Sequence, residues 1–175
     1  DERAGFLADG ALVDGQSWMA RLAPVPDGFA LVAVRAGEGE QFHVVHQALD
    51  LDGASVSDAL TLTDPQGTGA FEPAVAAVGD ELIVAWQDSF DGSEGFGAAS
   101  VLDGQASSID WPMLEPAGIG VSLASRVAAV WGAVGRSTGA VAGPEAGEGT
   151  ELSVAPALSP GITAREGGAV AAWAE

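Results

Sequence analysis

Residues 71–88 read FEPAVAAVGDELIVAWQD, and the architecture of the chain follows from this stretch. A short apolar run, a Gly79-Asp80 turn, a second apolar run ending in Trp86 and a polar exit describe two antiparallel strands joined tightly. Residues 160–175, PGITAREGGAVAAWAE, lie on 73–88 without a gap: Pro160 on Pro73, Ala164 on Ala77, Ala172 on Ala85 and Trp173 on Trp86. Ile162/Val75, Val170/Ile83 and Glu175/Asp88 are conservative exchanges. A looser copy at 120–132, GVSLASRVAAVWG, ends in Trp131. Another at 21–35, RLAPVPDGFALVAVR, ends at Val34, where the tryptophan is expected.

Asp-Gly occurs six times between apolar runs, and this dipeptide tolerates the positive φ that two-residue hairpin turns need. The runs predict strands at 18–25, 29–35, 41–51 and 59–63, then 72–78, 81–87, 96–102 and 107–110, and finally 162–165 and 168–174. Residues 121–134 are alanine-rich enough for a helix, but four valines, a central Arg126 and Trp131 in register with Trp86 favour strands. Residues 139–149, rich in Gly, Ala, Pro and Glu, read as a mobile loop. Marker spacings of 45 residues (Trp86 to Trp131), 42 (Trp131 to Trp173) and 52 (Val34 to Trp86) match four-stranded propeller blades. The expected fold is therefore all-β, a β-propeller-type array of about four four-stranded antiparallel blades in a single domain. Blades are expected at 17–70, 71–115 and 116–156, with half of a fourth at 157–175 that strands within 1–16 complete. The tryptophans are expected to pack between blades.

Composition sets the limits on function. Hydrophobic residues make up 47% of 175, enough for a sizeable core, and no apolar run approaches the roughly 20 residues of a transmembrane helix. Six arginines, no lysine and 25 acids give a net charge of −19, which excludes a nucleic-acid or anionic-membrane surface. Cysteine is absent, so thiolate chemistry is too. With no initiator Met and no signal-peptide pattern at Asp1, the chain reads as a processed or trimmed piece.

The pattern P-x-V-x-x-x-G-D-x-L-x-V-A-W-x-D at 73–88, followed by a polar loop and a strand running into Asp103-Gly104, resembles secreted bacterial β-propeller repeats. Sialidase-like propellers are relatives in architecture. The resemblance covers nearly the whole chain as a structural repeat and implies an extracellular, surface or periplasmic location. It carries no catalytic signature. Sialidase-type sites use a tyrosine nucleophile, and this chain has no tyrosine. Residues 89–96, SFDGSEGF, only approximate the Asp-box of that family, with the glycines displaced.

Three acids, Asp88, Asp91 and Glu94, stand at i, i+3 and i+6 on a glycine-containing loop, and such a set offers the hard oxygens that Ca²⁺ prefers. The spacing departs from that of an EF-hand loop, as does Asp50/Asp52. Phe90 and Phe96 flank the loop as a small sugar- or protein-contacting edge, Phe96 reading first as a core residue. His43 and His46, an odd separation apart on a predicted strand, point to opposite faces and make no metal pair; one half-buried and one solvated histidine is expected. No nucleophile elbow, phosphate-binding glycine loop or His-Glu-x-x-His is present.

Without a catalytic signature, a propeller is expected to serve as a rigid platform. The expected function is a non-enzymatic, secreted or surface-located recognition or assembly module. It would bind a protein or glycan ligand, or other subunits, through its loops or channel. The alternatives are a carbohydrate-active hydrolase or lyase using acids at the channel mouth, and a structural subunit of a larger surface assembly.

Overall fold

The computed structural model describes residues 17–37, 41–64, 69–88, 95–109, 118–124, 127–132, 140–142, 150–151, 158–165 and 168–174. The chain is all-β: among the described residues there is no helix, and so none long and apolar enough to cross a membrane. The first sheet comprises β1 (Ser17–Val25), β2 (Gly28–Ala36), β3 (Phe42–Leu49) and β4 (Leu60–Thr61). The second comprises β5 (Phe71–Val78), β6 (Glu81–Gln87), β7 (Phe96–Leu102) and β8 (Gln105–Ser108). The third contains β9 (Gly118–Ala124), β10 (Val127–Gly132), β11 (Ala140–Ala142) and β12 (Thr150–Glu151). A fourth, two-stranded sheet pairs β13 (Leu158–Arg165) with β14 (Gly168–Ala174). Every neighbouring pair is antiparallel and sequential, so each sheet is a meander.

The sheets pack face on face. Val84 and Trp86 of β6 cluster with Val32 and Val44 of the first sheet, and Leu82 and Val101 with Ala23 and Ala30. On its other face, β6 sets Ile83 and Ala85 with Ala74, Ala76, Ala98 and Leu123 of β9. All residues of β6 from Leu82 to Gln87 are consequently buried. This two-sided cover is why residues 82–86 are an unbroken apolar run and not an alternating one. The first strands lie side by side, β1 against β5, β5 against β9 and β9 against β13.

Each first hairpin carries a bulge near its open end. On β5, Glu72 and Pro73 together oppose Trp86, between the pairs Phe71↔Gln87 and Ala74↔Ala85. On β13, residues 159 and 160 oppose Trp173 in the same way, and every pair of β13–β14 is a pair of β5–β6 advanced by 87 residues. Proline fits the second bulge position because it needs no ladder donor there. On β1, Met19 and Ala20 oppose Ala33, between Trp18↔Val34 and Arg21↔Val32. The position equivalent to Trp86 is therefore Ala33, and not Val34 as the sequence suggests. Met19 (φ 55°) and Glu72 (φ 45°) hold the left-handed conformation at the first bulge position, where glycine is the usual occupant.

Other differences from expectation are local. In the third sheet, Trp131 pairs directly with Gly120, and the bulge is the single residue Ile119, so its register is one residue out of step with Trp86. The strand expected over 41–51 stops at Leu49 because Asp50 folds the chain back: its Oδ1 accepts the N–H groups of Asp52 (2.9 Å) and Ala54 (2.8 Å). Asp103 (φ 51°) and Gly104 (φ 73°) form a two-residue turn that starts β8 at Gln105, ahead of the expected 107. Residues 140–142, expected within a loop, form β11. The expected closing strands within 1–16 lie outside the described residues.

Candidate functional site

The bulged ends of the first two sheets gather most of the chemistry that the described residues offer. The bulge turns Glu72 toward β1, where its Oε2 accepts a hydrogen bond from Arg21 Nη2 at 3.3 Å. Both side chains are close to half exposed, so the pair sits in water at the seam between the first and second sheets. Arg21 Nη1 also donates to the carbonyl of Ala20 within the β1 bulge, at 3.1 Å.

Beside this pair stands an aromatic wall. Trp18 meets Phe42 edge to face, with ring centroids 5.1 Å apart at 78°, and Phe42 meets Phe71 at 5.2 Å and 55°. The wall is continuous because Ala70 N–H donates to the carbonyl of Phe42 (3.0 Å), tying the start of β5 to β3. Phe71 is buried, whereas Trp18 and Phe42 are half-buried. Two partly open aromatic edges beside a guanidinium and a carboxylate suit a ligand that mixes C–H faces with hydroxyl or amide groups.

Across the end of β6, Trp86 is buried, with its indole over Gly97 of β7, where a Cβ would collide with Cε2 and Nε1. Its Nε1 donates to Asp88 Oδ1 at 2.6 Å, and Asp88 N–H donates to Gly95 O at 2.9 Å. Of the three expected calcium ligands, Asp88 thus has one oxygen committed to an indole. Asp91 and Glu94 lie outside the described residues, as does Phe90. Among the described residues, no three His, Asp or Glu side chains gather into a metal-holding group. Asp50 spends Oδ1 on its own turn, and Phe96 is half-buried on β7.

The histidines occupy opposite faces of β3. His43 is half-buried, with Nδ1 3.2 Å from Thr63 Oγ1. His46 is buried, which departs from the expected half-buried and solvated pair, and desolvation lowers its pKa from 6.5. The side chains of Trp131 and Trp173 lie outside the described residues.

Sequence reasoning missed the Arg21–Glu72 pair, which spans 51 residues and has no local signal. The role of Asp88 did leave one: the spacing Trp86-x-Asp88 recurs as Trp173-x-Glu175.

No family model and no curated protein matches the chain. Among solved structures, it is similar to an α-L-arabinofuranosidase from Lactobacillus brevis, with a TM-score of 0.50 and 12% identity. The likeness covers 74% of this chain and 50% of that one, so the chain matches half the length of the enzyme. At this identity the likeness concerns the fold alone, a succession of antiparallel sheets.

Proposed function

We propose that the chain is a propeller-type recognition module, secreted or surface-located and non-enzymatic, that binds a protein or glycan partner at the bulged ends of β1 and β5. The adjoining first strands of the four sheets support the propeller arrangement. The observation that carries the binding reading is the water-exposed Arg21–Glu72 pair beside the Trp18–Phe42–Phe71 wall. A guanidinium and a carboxylate give directional hydrogen bonds, and the aromatic edges give area at low entropic cost.

The test is calorimetric titration with the ligands that a glycan array and a pull-down from the native surface return. Replacing both Arg21 and Glu72 by alanine is expected to weaken binding at least tenfold, about 1.4 kcal/mol. A ligand that binds the double variant as it binds the parent would overturn this site.

A carbohydrate-active hydrolase is the second reading, favoured by the fold likeness to an arabinofuranosidase. Such chemistry needs two carboxyl groups flanking the bond, about 5–5.5 Å apart for retention or about 6.5–9.5 Å for inversion. Among the described residues, Glu72 and Asp88 are carboxylates at this end, and each has an oxygen engaged, by Arg21 and by Trp86. That engagement is why binding is preferred to catalysis. Release of nitrophenol from an aryl arabinofuranoside, abolished by Glu72→Gln, would reverse the preference. Calcium at Asp88, Asp91 and Glu94 belongs to the same proposal. Uptake at millimolar Ca²⁺ that Asp88→Asn abolishes is the expected result, and calorimetry without uptake would remove the ion.

A further inference from the structure

His46 sits at the seam between the first two sheets. It pairs in register with Val32 on β2 and Leu60 on β4, and lies two residues from Val44 on the same face of β3. Val32 and Val44 pack against Val84, Trp86 and Ala99 of the second sheet, so this face is the one that sheet covers. His46 is 7% exposed, and its Nε2 is buried with no hydrogen-bond partner. A neutral imidazole tolerates this as an acceptor left unused. An imidazolium has a second N–H to place and a charge to solvate, and no hydrogen-bond partner stands at Nε2 to receive that N–H.

The hydrophobic side chains packed on this face are Ala30 and Val32 from β2, Leu60 from β4, Val75 and Ala77 from β5, and Leu82, Val84, Ala99 and Val101 from β6 and β7. Among the described residues, Asp58 and Asp64 flank β4 and are exposed, and three further charged groups lie on the same side. Arg21 pairs with Val32 from the other flank, so it lies in line with His46 across β2 and repels a proton there. Glu72 is held by Arg21, and Asp88, at the strand end, has Oδ1 on the Trp86 indole.

We propose that His46 makes the seam between the first and second sheets acid-labile: its protonation parts the two sheets and, with them, the Arg21–Glu72 pair that spans the same seam. Burial lowers the imidazole's pKa below 6.5, which sets the sign. Between the ordinary histidine value and the lower folded value, the unfolded or parted state binds the extra proton. Stability from this group is therefore complete above about pH 6.5 and declines as pH falls, by at most about tenfold in the folding constant per pH unit.

Three measurements test this. The chain has two histidines, so NMR titration of the unmodified protein follows each imidazole directly. The His46 ring resonances are expected to shift with a midpoint below 6.5, accompanied by faster amide exchange in β3 and β6. Urea unfolding from pH 7.5 to 5 is expected to lose up to tenfold per unit in the folding constant, less for His46→Leu by that histidine's share. A His46 midpoint at or above 6.5, or the same pH slope in parent and His46→Leu, would overturn the proposal. Should His46→Leu fail to fold, the titration of the parent decides alone.

Discussion

The hairpins β5–β6 and β13–β14 share one register, pair for pair, with a constant offset of 87 residues, yet they live in different surroundings. In the second sheet the face made by Ala74, Ala76, Ile83 and Ala85 is covered by the third sheet, with exposures of 0–9%. The equivalent face of the fourth sheet, made by Gly161, Thr163, Val170 and Ala172, is exposed, Val170 to 47%. The backbone plan common to both is thus set within the hairpin, by a two-residue turn and a bulge. Burial is set by the neighbour. The composition tracks this: the covered face is Ala, Ala, Ile, Ala, while the open one admits Gly and Thr.

The comparison is broken most severely at Trp86. Trp86→Ala empties a buried indole site between sheets and is expected to lower stability by about 3–5 kcal/mol in urea unfolding. A loss below about 1 kcal/mol would mean that the indole is not an inter-sheet packing residue. The exchange Ile83→Ala removes a fully buried side chain from the covered face, with an expected loss of about 2–5 kcal/mol. Asp88→Ala leaves the Trp86 indole N–H without its carboxylate, and about 1.5–3 kcal/mol is expected for a charge-assisted bond. Val170→Ala, the register mate of Ile83→Ala, is expected to change stability by no more than about 0.5 kcal/mol. Equal losses at 83 and 170 would show that the fourth sheet is covered as the second is.

The strand layout was legible in the sequence wherever the ungapped match of two segments carried the information. The ungapped match of 160–175 to 73–88 contains the register of β13–β14 before any coordinate is known. Where the markers lapse, register slips. The β1–β2 hairpin has Ala20 where its counterparts have Pro73 and Pro160, and Ala33 in place of tryptophan. Counting by hydrophobicity therefore stopped one residue late, at Val34. Trp131 misleads in the other direction: the residue type repeats, but a one-residue bulge shifts its pairing.

The site was less legible than the fold, for a physical reason. Arg21 and Glu72 meet because two bulges bring adjacent edge strands together, and no local pattern encodes a contact between sheets. The odd spacing of His43 and His46 announced opposite faces, but which face is dry depends on what covers it. The second sheet covers that of His46. The acids at 88–94 looked alike in sequence, whereas Asp88 has a particular task beside Trp86.

The chain contains no cysteine, which allows the central contrast to be measured with one probe in two places. Ala85 and Ala172 are register mates, one 1% exposed and the other exposed, and cysteine fits either with little change in volume. Thiol labelling of Ala85→Cys and Ala172→Cys under native conditions compares the two faces directly. The expected result is labelling of position 172 at the rate of a free thiol, while position 85 reacts only as the protein unfolds. Protection of both positions alike, or ready labelling at 85, would contradict the account.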